Sequence, residues 1–401
     1  MTAANARIAS PSFRPLKAPG SAHAGPPLLD PAGPRAVLGW RAGDLAGALS
    51  PAADTLFGPR GVCLPPGGGL WAADTGHHRV LGWRTLPERD NAPADVVIGQ
   101  PDFASEGRNG RGDPGPATLN VPTGICAFRE GLAVADAWNH RVLIWRELPG
   151  ESGQPANIVL GQAEMGAVLA NRGADRPGAD TLNWPYGVAA VAGGLAVCDT
   201  GNRRVLWWAD PVESGQPADR VLGQNGFDSR DENAGGPVSA MSMRWPHALA
   251  EWNGALAVAD AGNNRVMIWS GGLPEAAGAP CEAVLGQEDF TACDHNMGSY
   301  YPDARALNMP YALAVSGGVL LVADTANSRL LGWERAAMAA PAARLTGQPD
   351  FASKGDNGWG LPRRDSLCWP YGLAARAGLA AVADSGNNRV LLWPLAAAEA
   401  V

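Results

Sequence analysis

Lysine is almost missing from this chain of 401 residues. It stands only at positions 17 and 354, so nearly all of the 31 basic residues are arginine. Charged residues of both signs make up only 17% of the sequence, and the formal charge is −8. General binding to nucleic acid or to an anionic membrane needs a clustered positive footprint, which this balance does not offer. No stretch approaches the ~18 uninterrupted apolar residues of a membrane span. The N-terminal MTAANARIASPSFRPLKAPGSAHAGPPLLD lacks the apolar central segment of a secretory signal. There is no C-x-x-C pair, no G-x-S-x-G elbow and no phosphate-binding glycine loop. Six cysteines are an even number, but they do not read as a disulfide framework. Cys63 and Cys126 share one slot that holds Ala elsewhere, and Cys198 likewise replaces an Ala, so these read as small buried fillers. The expectation is a reduced, cytoplasmic protein with no membrane contact.

What the chain has in abundance is repetition. An apolar run ends in Asp, a short turn follows, and then come Arg, an aliphatic pair and Trp. The phrase reads AADTGHHRVLGW, VADAWNHRVLIW, VCDTGNRRVLWW, VADAGNNRVMIW, VADTANSRLLGW and VADSGNNRVLLW, with its Asp at 74, 136, 199, 260, 324 and 384. The steps between these Asp are 62, 63, 61, 64 and 60 residues, which is the signature of a repeat architecture. Two further phrases keep the same period. One is VLGQ or a close variant, and the other is a Pro segment of the WPYGV type. Each repeat thus holds four apolar segments too short for helices, rich in Val, Leu and Trp and bounded by Gly or Asp turns. Gly (52) and Pro (34) together exceed a fifth of the chain and are read as the turns between these strands.

Four short antiparallel strands, six times over, predict an all-β six-bladed β-propeller. The last repeat stops after its third strand at Trp393, while a spare VLGW strand stands at about residues 36–40. Pairing the two closes the ring and removes two exposed edges. The predicted organisation is an Ala/Pro-rich tail or arm over 1–34, one propeller over 35–395 and a short tail over 396–401.

With these motifs assembled, the D-x-x-N-x-R-V phrase and the Pro-Gly opening strand resemble the NHL repeat family. The VLGQ/PDF extension resembles a bacterial subgroup of it. The resemblance covers roughly residues 35–395 and implies the propeller, but not one activity: many members are binding or scaffold propellers, some bind RNA, and structural cousins include a lyase and hydrolases. This chain departs from the pattern at His77, which replaces the turn Asn, and in its unusually long loops after VLGQ.

In such a propeller the Asp turns, the Pro segments and the long loops open on one face. The six Asp/Arg pairs read as structure, a carboxylate capping a turn and an Arg bracing nearby backbone. The six strand-end Trp read as packing. Residues that vary between repeats are more informative. The position after Pro carries Arg60, Thr123, Tyr186, His247, Tyr311 and Tyr371, which are expected to ring the channel mouth. Trp184, Trp245, Met309 and Trp369 precede the Pro in four repeats, and Trp138 adds an aromatic in a turn. Aromatic rings with polar tips at a concave mouth suit recognition, although Trp-Pro pairs also serve to wedge blades together. For a metal, the ring offers one His and no carboxylate. Cys293, His295 and Cys368 form the one ligand-type set, in two loops that could meet. No metal or other cofactor is expected.

The leading expectation is a non-enzymatic binding or scaffold propeller that recognises a protein or peptide through its loop-rich face. A small molecule in the central channel is kept open. The alternative is a metal-dependent lyase or lactonase-like hydrolase, with Arg60, His247 and the tyrosines as polarising and proton-transfer groups.

Overall fold

A computed structural model describes residues 25–39 and 50–396. Residues 1–24 of the expected tail, Trp40 of the spare strand and residues 397–401 lie outside the described residues. Six sheets of four antiparallel strands form the ring of a six-bladed propeller, and the helical segments among the described residues are short 3-10 turns. Blades 1 to 6 are named here by their innermost strands: Gly61–Cys63, Pro122–Phe128, Pro185–Val191, Pro246–Trp252, Pro310–Ser316 and Pro370–Arg376. Apolar side chains on both faces of every sheet pack against the neighbouring blade. One core cluster, for example, joins Ile144 and Leu160 of blade 2 to Val197 and Trp208 of blade 3. The inner strands approach so closely that a Cβ on Gly187 would sit 2.2 Å from the His247 carbonyl oxygen of the next blade.

The ring closes as the sequence predicts. Ala36–Leu38 pairs antiparallel with Arg389–Pro394 and supplies the outer strand of blade 6. The chain just before it completes the joint. Leu28 N–H donates to Leu345 O and Leu345 N–H to Pro26 O, which adds an edge to blade 5, and Asp30 N–H donates to Pro394 O. In blades 1 to 5 the strand-end Trp donates its indole N–H to a carbonyl of the loop that follows its own strand, as Trp333 does to Ala340 O at 2.9 Å. Trp393 finds its acceptor in Asp30 of the N-terminal segment instead, at 2.7 Å.

One knot repeats in every blade. Asp136 Oδ1 accepts the Asn120 backbone N–H at 2.6 Å, while Oδ2 accepts Arg141 Nε and Asn139 Nδ2, both at 2.7 Å. In blade 1, His77 takes the place of Asn and lies 2.8 Å from Asp74 through Nδ1. The far side of each Arg reaches the long loops. Arg329 donates to Phe351 O in the loop leaving its blade, and to Asp303 O and Ala306 O in the loop entering it. The Gln of VLGQ, whose role the sequence leaves open, donates to the turn and to the loop. Gln162, for instance, bonds His140 O and Leu169 O. The loop asparagines then pair with the turn asparagines of the next blade, as Asn171 does with Asn202.

The Asp and Arg of each knot are fully buried, so removing one member strands the other without solvent. Arg204→Met is expected to cost about 3–5 kcal/mol in urea unfolding, as buried pairs do when one partner is lost; a loss below about 1 kcal/mol would show that the knot is not needed. Deleting residues 1–38 bares the edge of blade 6 and is expected to lower the melting temperature and promote concentration-dependent association, read by light scattering.

Candidate functional site

The site begins with backbone geometry. A Pro starts the innermost strand of blades 2 to 6, and in every blade except blade 2 the residue after the Pro points toward the ring axis. Five of the six predicted ring residues meet there. Tyr186 and His247 lie 4.2 Å apart between ring centres, and His247 stacks on Tyr311 at 4.2 Å with the planes 5° from parallel. Tyr311 continues to Tyr371 at 4.8 Å, and the Arg60 guanidinium lies 4.8 Å over the Tyr371 ring. Arg60 also faces the buried Tyr186 hydroxyl, which has no well-aligned hydrogen bond. The result is a plug of four rings and one cation across the channel mouth.

Two residues further along the strands, Val62, Ile125, Val188, Leu249, Leu313 and Leu373 line the channel below the plug. The cavity enclosed there is only about 70 Å³, well short of the roughly 300 Å³ of a small-ligand pocket. Room for a ligand lies beside the plug. Between blades 3 and 4 a cavity of about 350 Å³ is lined by Trp184, Trp245, Arg203, Tyr186, His247 and Tyr311, among others. Between blades 6 and 1 another of about 490 Å³ is lined by Trp369, Phe57, Arg60, Tyr371 and Cys368, among others.

The remaining predicted residues are placed differently. Thr123 is fully buried and donates its hydroxyl to Tyr186 O at 2.9 Å, bracing blade 3 instead of facing the mouth. Met309 is half-buried in blade 5 and lines neither flanking cavity. Trp138 is exposed on its turn, with the Arg108 guanidinium over its ring at 5.1 Å. Cys293, His295 and Cys368 do not assemble: among the described residues no three of His, Cys, Asp and Glu gather closely enough to hold a metal ion.

Burial governs the electrostatics of the plug. It pulls the His247 imidazole down to about 4, and Arg60 adds to the effect, while the hydrogen bond to Trp245 O opposes it. His247 is therefore neutral at pH 7, with its Nδ1–H donated to Trp245 O at 2.9 Å. Burial also pushes the Tyr186 and Tyr311 hydroxyls up, so both remain protonated. Arg60 is the charge of the plug.

Sequence reasoning weighed Arg203 only as half of an Arg pair with Arg204 and did not place it at the site, although the six-fold pattern breaks there. It occupies the left-handed residue that ends each Asp turn, a slot filled elsewhere by His78, His140, Asn264, Ser328 and Asn388. Each of those five accepts the N–H of the residue before Pro in the next blade, as His140 Nδ1 does from Trp184 at 2.9 Å. The residue so held is left-handed, with φ between 51° and 56° at Gly58, Val121, Trp184, Met309 and Trp369. Arginine is a donor only and cannot accept this bond. Trp245 accordingly is not left-handed, and its N–H turns to Asp260 Oδ1 at 3.3 Å. Its carbonyl then accepts both Ala261 N–H and His247 Nδ1–H. Aligning the turns across repeats shows the signal, five acceptors and one Arg.

No family model and no curated protein matches the chain. Among solved structures, a structural-genomics protein of unknown function from Bacteroides thetaiotaomicron is similar with a TM-score of 0.51 and 13% identity, over 91% of this chain and 75% of that one. A streptogramin B lyase is similar at 0.43 and 10% identity, over 86% of this chain and 95% of that one. The WD40 β-propeller domain of Doa1 is similar at 0.45 and 10% identity, over 90% and 96%. The first is a likeness of fold, and the other two are too distant to bear on what this chain does.

The unfolded chain binds the His247 proton near 6.5 and the folded chain near 4, so protonation favours unfolding. The stability this residue contributes is complete above about pH 6.5 and is lost as pH falls toward 4. Wild type is expected to lose roughly 3 kcal/mol more than His247→Phe over that interval in urea unfolding. Parallel pH profiles for the two proteins would show that the imidazole does not titrate in this environment.

Proposed function

We propose that this is an NHL-type propeller that binds a protein or peptide through the loop-rich face around the channel, with residues 35–395 acting as one unit between an N-terminal tail or arm and a short C-terminal tail. The observation that carries the reading is the aromatic floor at the mouth, with Trp184, Trp245 and Trp369 at 43%, 37% and 38% exposure above it. Large rings that remain partly open around a concave, sparsely charged centre are what recognition surfaces use. The knots support it as well, because they hold the surrounding loops in place before any partner arrives, which lowers the ordering cost of association. The net charge of −8 favours a protein partner over nucleic acid.

The lyase or hydrolase alternative would use His247 as its proton acceptor. An imidazole held near 4 is a weak base at neutral pH, and a general base works best with a pKa near the working pH. We therefore place binding ahead of catalysis.

The test is capture of a partner from the protein's own cells, identified by mass spectrometry. Changing Tyr186, Tyr311 and Tyr371 together to Ala is expected to reduce capture at least tenfold, with the β-sheet circular dichroism unchanged. Trp184→Ala and Trp369→Ala, at partly exposed positions that carry less of the packing, are expected to reduce it as well. Retained capture in folded variants would put the interface elsewhere.

A further inference from the structure

The Asp turn beside the cavity between blades 3 and 4 ends in Arg203, where the five other turns end in His, Asn or Ser, so this slot carries a fixed charge. Arg203 Nη1 donates to Gly201 O and Arg230 O, both at 3.1 Å, which fixes the guanidinium beside the cavity. Its Nε is buried and has no hydrogen-bond partner. Buried donors left unmade are uncommon and costly, and each calls for an explanation. Both of these guanidinium bonds go to backbone carbonyls, and Arg203 pairs with no carboxylate among the described residues.

The rest of the cavity wall is aromatic. Trp184 and Trp245 stand on neighbouring blades on either side of Arg203, and Tyr186, His247 and Tyr311 complete the lining. Trp245 is itself held in place by the Arg244 guanidinium, 4.9 Å over its ring, with Arg244 Nε 3.1 Å from Glu232. His247 is neutral and its Nδ1–H is occupied by Trp245 O, so it offers a flat, uncharged face. A fixed cation set among large rings in about 350 Å³ matches a flat apolar group that carries an anion.

We infer that this cavity binds an aromatic ring bearing a carboxylate, with Arg203 holding the carboxylate and Trp184 and Trp245 flanking the ring. Such chemistry comes from an aromatic residue at a peptide C-terminus or from a free aromatic acid. The inference rests on the binding reading above and names the ligand class for one part of that face. It also accounts for the loss of the six-fold pattern here. The residue that cannot accept the Trp245 N–H both releases Trp245 from the left-handed conformation of its counterparts and supplies the anion-binding group.

The experiment is calorimetric titration of the full-length protein with N-acetyl-phenylalanine and its amide, and with a hexapeptide ending in Phe, as free acid and as amide. At least one acid is expected to bind about tenfold or more tighter than its amide. Binding of the peptide acid alone identifies a chain terminus as the source, and binding of the free acid identifies a small aromatic acid. Arg203→Asn is expected to remove the preference for acid while keeping the fold, since Asn264 and Asn388 fill this slot elsewhere. Trp245→Ala is expected to weaken acid and amide alike. No binding, equal binding of acid and amide, or an acid preference that survives Arg203→Asn would each overturn the inference. Partner capture that stays sensitive to the tyrosine changes while acids and amides bind alike would remove this ligand and leave the binding face standing.

Discussion

Everything on the loop-rich face depends on a buried charge pair repeated six times. An Asp and an Arg with no exposed surface are expensive to take out of water, and their mutual attraction alone does not repay that cost. What makes the pair tolerable is the completeness of its hydrogen bonding. In blades 2 to 6 the carboxylate accepts from a backbone N–H, an Asn amide and the Arg Nε, and in blade 1 His77 replaces the Asn. The guanidinium spends its remaining donors on loop carbonyls. A well-packed apolar pair would hold two strands together as cheaply. It would not reach across to fix a loop on each side, and that reach explains why polar, glycine-rich loops stay ordered around the channel.

The same economy of contacts governs the closing of the ring. A propeller has no natural first blade, so the joint between chain ends must reproduce what continuous chain provides elsewhere. Here the indole of Trp393 still needs a carbonyl, and Asp30 supplies it. Asp90 of blade 1 accepts Val37 N–H and pairs with Arg364 of blade 6, while Arg364 Nε donates to Pro34 O. The N-terminal segment is thus gripped from both sides of the joint, and the joint copies the interior of the ring.

How much of this is legible in the sequence follows from what residue types encode. The period, the strand content and the closure are written as hydrophobic patterns, and the structure contains them. The knot is legible because Asp, Asn and Arg at fixed spacing can do little else in a tight turn. Comparing slots across repeats also picks out Arg60, Tyr186, His247, Tyr311 and Tyr371, which do meet. The same comparison places Thr123 with them, yet its short side chain turns to a neighbouring carbonyl and is buried. The cysteine and histidine set fails because shared chemistry in two loops says nothing about distance. The flanking cavities are invisible to sequence, since they are spaces between blades and not properties of any residue.

The hardest feature to read is a backbone choice, and it is also the one that distinguishes a blade. Before a proline the chain favours extended conformations, and a β-branched residue such as Val121 at φ 56° is strained there. Four blades hold this strain, at Val121, Trp184, Met309 and Trp369, because the turn of the preceding blade supplies an acceptor for the freed N–H, and Gly58 takes the same conformation without strain. The cost, of order 1–3 kcal/mol for each such residue, is met by a bond that also locks neighbouring blades together. Replacing the acceptor by Arg203 withdraws that compensation at one joint only. The backbone relaxes, the Trp245 carbonyl swings to hold His247, and an arginine is left beside an open cavity. In a repeat protein, where each copy is stabilised by being like its neighbours, a difference of this kind is retained at the expense of local regularity. That is the physical ground for looking for function between blades 3 and 4 before the other joints.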